Sequence, residues 1–222
     1  MRVLTGLKPT KIYGGTYMRV IGVTGGVGAG KSTVLDALSE LTSCIIIRTD
    51  DVAKETILPD GAAYSRVVEL LGREVLADDG VMIDRKKMAA AIFTDEELCA
   101  KVNAVIHPLT MQEVKKRIAE AEKNGIYEFA FVEAALLIEA GYDSICEEFW
   151  YVYVPEEERI KRLMANRGYT RKKCLDIMAN QLSDEEFRKH CRYVIDNSSD
   201  SQALVDRLTA VLKEIKSGGD RI

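Results

Sequence analysis

Apolar residues are unevenly spread along this chain. They gather in five short runs rich in β-branched residues: Arg19–Thr24, Cys44–Thr49, Glu128–Glu133, Phe149–Val154 and Tyr193–Ile195. Near-continuous apolar runs of this length are the pattern of strands buried on both faces. Stretches of helical period separate them. Such alternation predicts an α/β fold, a five-stranded parallel sheet with helices on both faces.

The spacing is irregular in one place. About 78 residues lie between the second and third runs, and they read as helical, with the breakers "LPDG" and "ADDG" inside. That is too long for a plain crossover, and it predicts a helical insertion over roughly 56–125 beside one edge of the sheet. A polar, arginine-rich stretch from Glu156 to Arg192 separates the last two runs. Its centre, "NRGYTRKK", reads as mobile and solvent-facing, which suits a lid over about 156–190.

Composition narrows the class. A length of 222 residues suits one medium domain carrying an insertion, and 47% hydrophobic residues suffice for a core. The net charge of −4 argues against a nucleic-acid partner. No apolar run approaches the ~18 residues of a membrane span. The five cysteines are odd in number and scattered, without C-x-x-C; free thiols in a reducing cytoplasm are the expectation. Residues 1–17 read as an extension or misassigned start, because the first strand pattern begins just after Met18. Oligomeric state is not legible.

The strongest chemical signal is "GGVGAGKS", Gly25 to Ser32, which fits G-x-x-x-x-G-K-[ST] between a strand and a helix. Gly25 and Gly30 permit backbone geometries that a Cβ would forbid. The N–H groups of Gly25, Gly26, Val27, Gly28, Ala29, Gly30, Lys31, Ser32 and Thr33 can then ring phosphate oxygens at a helix N-terminus. In this pattern Lys31 reaches the β- and γ-phosphates of a nucleoside triphosphate and the Ser32 hydroxyl can ligate Mg²⁺.

Other residues narrow the reaction. The second run ends "RTDD", which puts Asp50 at the carboxyl end of a strand, where a carboxylate can take a proton from an attacking hydroxyl. The competing reading makes Asp50 or Asp51 the N-cap of the next helix. Glu133 ends the third run, a usual place for a carboxylate that holds a metal's waters. Arg159, Arg162, Arg167 and Arg171 lie in the polar stretch; such arginines can neutralise charge in phosphoryl transfer, or simply face solvent. His107 precedes Pro108 and reads as a helix-boundary residue. No N-K-x-D and no L-S-G-G-Q is present, which weighs against a GTPase and an ABC-type ATPase.

Several motifs in order resemble the dephospho-coenzyme A kinase family. They are "IGVTGGVGAGKST", "TDDVAKETILPDG", "VVELLGREVLADDGVMIDRKKMAAAIFTD", "VNAVIHPL", "EAALLIE" and "IMANQLSDEEFRKHCRYVIDNSS". The resemblance runs from Met18 to about Leu212. It implies a three-layer P-loop fold with a CoA-binding helical insertion and a lid, and transfer of the ATP γ-phosphate to the 3′-hydroxyl of dephospho-CoA. It implies Asp50 as the catalytic carboxylate, Lys31, Arg162 and Arg167 on the transferred phosphoryl group, and His107 and Glu133 toward the substrate. The chain departs from the pattern at Arg48, where many members carry an acid, at Ala135 for proline, and at Asn166, where an arginine is expected one place before Arg167. The alternatives are a related nucleoside or nucleotide kinase and an ATP-binding sensor without catalysis.

Overall fold

The computed structural model describes residues 17–93 and 95–217. Apart from Tyr17, the expected extension at 1–17 lies outside the described residues. The strands are β1 (Arg19–Thr24), β2 (Cys44–Arg48), β3 (Phe129–Glu133), β4 (Glu148–Tyr153) and β5 (Tyr193–Asp196). The helices are α1 (Lys31–Leu41), α2 (Thr49–Thr56), α3 (Tyr64–Leu71), α4 (Arg85–Phe93), α5 (Glu96–Asn124), α6 (Glu156–Arg167), α7 (Arg171–Met178), α8 (Asp184–His190) and α9 (Ser201–Lys216). No helix among the described residues is long and apolar enough to cross a membrane.

The strands form one parallel sheet in the order β2-β3-β1-β4-β5. The central register pairs Ile21 with Phe131 and with Glu148, so β1 is enclosed on both sides. Enclosure explains its almost uninterrupted apolar sequence, in which five of six residues are buried. Alternation then sorts side chains by face. Trp150 and Val152 share one face with Ile21, Val23 and Phe131, packed against α1 and α9. Tyr151 points the other way and stacks on Phe187 of α8, with ring centroids 4.6 Å apart.

Helix α9 shows how the sequence encodes that packing. Leu204, Leu208, Leu212 and Ile215 recur on one helical face and are all buried. The Asp200 carboxylate caps the helix by accepting from Ala203 N–H at 2.9 Å.

Two compact units emerge: the described residues up to Ile46 together with Glu120 onward, and Ile47–Ala119. The second is helical. Its core gathers Ala63, Val67, Leu71, Val75, Val102 and Ile106. The two predicted breakers are its tight turns. Gly61 N–H reaches back to Leu58 O at 2.7 Å, and the Asp79 carboxylate accepts from Val81 and Met82 N–H at 2.8 and 3.0 Å.

Two local expectations are corrected. His107 is not at a helix boundary, because α5 continues through Pro108. The stretch keeps an extra local tie, in which the Thr110 hydroxyl donates to Ile106 O at 2.9 Å. Burial of Val102, Ile106, Thr110 and Val114 on one face of the long helix outweighs the proline's cost, about 3 kcal/mol. The second strand stops one residue early, at Arg48. Asp50 and Asp51 therefore lie inside the first turn of α2, and neither caps it; the N-cap position is Arg48, without a side-chain cap.

Candidate active site

β1 delivers the chain into the loop Gly25–Gly30, and α1 opens directly after it at Lys31. Gly30 takes φ 80° and ψ 37° at the N-cap of α1, the left-handed region that a Cβ disfavours. A Cβ there would also meet Asn197 Nδ2 at 2.4 Å. Inside the loop, Ala29 N–H closes on Gly26 O at 3.1 Å, and Val34 N–H reaches Gly30 O at 3.2 Å as the helix starts. The helix begins with no side-chain cap and no acid in its first turn. Its positive end is left to an anion.

Lys31 lies across this loop. Its ammonium donates to Gly25 O at 2.9 Å and sits 3.6 Å from Glu133 Oε1 at the end of β3. Ser32 and Thr33 follow on the first turn of α1 and are exposed. The loop residues, Lys31, Ser32 and Glu133 are thus gathered at the carboxyl ends of adjacent strands, the usual ligand end of a parallel sheet.

The outer side of the loop is tied by residues that follow β4. Asn197, just past β5, is buried and donates to Ala29 O at 2.9 Å and Gly30 O at 3.4 Å. Gln181, after α7, accepts Val27 N–H at 2.9 Å. Arg159 of α6 donates to Val27 O at 2.9 Å. Burial pulls the Arg159 guanidinium below its ordinary range, opposed by Tyr151, Glu156 and Asp184; an arginine stays charged under such a pull. The sequence marks Arg159 only as one of four arginines in the polar stretch, and gives Gln181 and Asn197 no role. The available signal was that both are polar residues in the final motif "IMANQLSDEEFRKHCRYVIDNSS".

The two arginines expected on the transferred group separate. Arg162 is half-buried; it donates to Asn197 O at 3.0 Å and to Glu158 at 3.4 Å. Arg167 is exposed in the last turn of α6, which Gly168 closes in the left-handed conformation. Arg171 is held by Glu157 at 2.5 Å, the arrangement of a solvated ion pair.

Asp50 and His107 belong to the helical unit. Asp50 is exposed on the first turn of α2 and lines a cleft of about 330 Å³. Lys54 and Arg85 bring positive charge to the same cleft, over an apolar floor that includes Ile57, Met88 and Ile106. Lys54 is also bound by Asp51 at 2.5 Å, and that contact holds the Asp51 carboxyl below its usual range. The cleft therefore offers one carboxylate, two cations and a greasy wall, a combination suited to an anionic organic molecule that presents a hydroxyl. His107 is exposed on α5.

The residues fit a nucleotide better than a free metal. No group of three or more His, Cys, Asp or Glu among the described residues is placed to hold an ion. The loop, by contrast, combines a left-handed glycine, an uncapped helix start and a lysine.

Comparison with known proteins bears on the identity of that nucleotide chemistry. A family model described as dephospho-CoA kinase matches residues 19–203. The dephospho-CoA kinase of Carboxydothermus hydrogenoformans is 37% identical over 197 residues, covering 89% of this chain and 94% of the relative. That of Geobacter sulfurreducens is 35% identical over 194 residues, covering 87% and 97%. Among solved structures, one from Thermus thermophilus superposes with a TM-score of 0.75 at 29% identity, covering 89% of this chain and 98% of that one. A Campylobacter jejuni dephospho-CoA kinase shares the fold, with a TM-score of 0.67 at 22% identity over 90% of this chain and 98% of that one.

Proposed function

The chain belongs to the dephospho-CoA kinase family, and from that premise we propose how its own residues divide the work of moving the ATP γ-phosphate to the 3′-hydroxyl of the dephospho-CoA ribose. It is an ATP-dependent phosphotransferase acting on a small molecule. The observation that carries the assignment of roles is the loop Gly25–Gly30 with Lys31 lying across it.

In this reading the backbone N–H groups of the loop hold the nucleotide phosphates, apart from that of Val27, which donates to Gln181. Lys31 leaves Gly25 O and Glu133 for the outer phosphates, where charge grows on the bridging oxygen as the bond breaks. Ser32 would supply one ligand of the Mg²⁺ that accompanies ATP, and the Glu133 carboxylate would hold that ion's waters. Asp50 accepts the proton of the attacking hydroxyl, and its exposure in the cleft of the helical unit supports an acceptor-side role. Arg162 and Arg167 take up charge on the transferred group, and His107 contacts the acceptor. A phosphoryl group passing through a loose transition state needs placement and charge more than covalent help, so these are the roles the chemistry requires. Residues 56–125 act as the acceptor-binding insertion and 156–190 as the lid. Five free cysteines support a cytoplasmic location, and the acidic net charge supports a function without nucleic acid.

The test is ADP release with ATP and Mg²⁺, in the presence of dephospho-CoA or a panel of nucleoside monophosphates. We expect turnover that requires dephospho-CoA. Turnover only with a monophosphate would move the enzyme to a different acceptor, and tight ATP binding with no transfer at all would make it a sensor.

A further inference from the structure

A peptide group has two hydrogen-bonding ends, and at Val27 both are taken from outside the loop. Its N–H donates to Gln181 Oε1 at 2.9 Å and its carbonyl accepts from Arg159 Nε at 2.9 Å. Arg159 Nη2 also reaches Gln181 Oε1 at 3.5 Å, so the two side chains that grip the peptide touch each other. Arg159 comes from α6 and Gln181 from the segment after α7, which places the whole grip on one arm of the chain.

The neighbouring residue makes room for it. A Cβ built on Gly26 would meet Arg159 Nη2 at 2.2 Å and Cζ at 2.4 Å, so the guanidinium lies against a backbone that only glycine leaves bare. Among the described residues, no hydrogen bond to a carboxylate anchors Arg159 there; its directed contacts are to Val27 and Gln181. Two consequences follow. The Val27 N–H is spent on Gln181, so phosphate must be held by the other N–H groups, and their directions depend on how this one peptide plane is turned. A cation is also held at the loop's back, where it adds to the positive end of α1.

We propose that Arg159 is a positioning residue for the nucleotide: with Gln181 it clamps the Val27 peptide, orients the remaining loop N–H groups, and thereby sets the affinity for the ATP phosphates. The inference rests on reading the loop as the nucleotide site. It is separate from the roles of Arg162 and Arg167 on the transferred group.

Lysine and glutamine variants divide the two parts of the role. Arg159→Lys keeps the charge and one donor but loses the planar fork that spans Val27 O and Gln181 together. Arg159→Gln loses the charge as well. Gln181→Leu removes the other half of the clamp. Because both side chains act on one peptide, their effects should not add.

The experiment measures binding of a non-hydrolysable ATP analogue with Mg²⁺, steady-state KM and kcat for ATP, and thermal unfolding without nucleotide. It compares the parent, Arg159→Lys, Arg159→Gln, Gln181→Leu and the Arg159→Gln/Gln181→Leu double variant. Arg159→Gln should weaken the analogue about tenfold, the loss expected for one charged hydrogen bond. KM should rise in step while kcat changes much less. Arg159→Lys should recover part of the loss, and the double variant should bind about as well as the weaker single one. Equal affinity in parent and Arg159→Gln overturns the proposal. So does a fall in kcat with affinity unchanged, or a loss that tracks thermal stability with no rescue by lysine. If the parent binds the analogue but does not phosphorylate dephospho-CoA, the acceptor assignment falls while the binding data still decide the role of Arg159. If the parent fails to bind the analogue, both fall.

Discussion

Lys31 and Glu133 form a loose ion pair, 3.6 Å between Nζ and Oε1, with 13% and 14% of the two side chains exposed. The distance exceeds a good charged hydrogen bond, and the firmer contact of the ammonium is to Gly25 O at 2.9 Å. Lys31 is therefore parked at the rim of the loop by partners that an incoming phosphate can outcompete. Lys31→Ala should lower kcat by roughly 10²–10³, the usual loss when one charge-stabilising donor is removed. Steady-state kinetics with saturating ATP decide it, and an unchanged kcat means that the lysine plays no part in transfer.

Glu133 restrains Lys31, and in the proposed mechanism it would also hold the waters of Mg²⁺. Glu133→Gln keeps the shape and removes the charge. The Mg²⁺ activation curve should shift to higher concentration while the protein stays folded. A curve that overlays the parent's would remove Glu133 from the metal's surroundings.

Asp50→Asn should leave ATP-analogue binding within about twofold and slow transfer by about 10²–10⁴, the range for loss of a positioned base. The two measurements together separate a base from a structural acid, because α2 uses neither Asp50 nor Asp51 as a cap. Transfer at the parental rate would leave Asp50 as a bystander.

Stability should depend on pH through Glu122. Burial, and then the nearby Glu147 carboxylate, raise the Glu122 carboxyl above its ordinary 4.5. The folded protein thus binds the Glu122 proton more tightly than the unfolded chain does. Stability from this group is fully present below the ordinary carboxylate value and is lost as pH rises through the raised one. Glu122→Gln mimics the protonated form. Urea unfolding should show the variant more stable than the parent at pH 7 and equal to it near pH 4; the same difference at both pH values would mean that ionisation is not the cause.

Removing the cap of α9 tests how that helix is held. Asp200→Ala should cost about 1 kcal/mol in urea unfolding, because Ala203 N–H loses its side-chain acceptor. Leu208→Ala, by contrast, opens a hole in a fully buried position and should cost about 2–5 kcal/mol. Equal effects would mean that the helix is held by its first turn rather than by its buried face.

Much of this was legible one residue at a time. The strand runs were readable because β1, β3 and β4 are buried on both faces, which forces near-continuous apolar sequence. The glycine-rich loop was readable because its glycines and Lys31 act through backbone geometry and neighbours within the same dozen residues. His107 was misread because a proline's local cost is visible in sequence and the packing of α5 that overrides it is not. The competing reading of the aspartates after β2 as caps falls because β2 ends one residue early and both lie inside α2, and one residue decides whether a strand has ended.

The sequence by itself determined the element order, the glycine-rich loop between β1 and α1 and the acid that follows β2, since each depends on short-range periodicity, backbone freedom or spacing. Only the tertiary structure decided what holds the loop from behind. Val27, Arg159 and Gln181 are separated by more than a hundred residues and then by twenty-two, and no local rule links them. Their meeting depends on β1 lying beside β4, on where α6 leaves the sheet, and on a glycine that leaves room for a guanidinium.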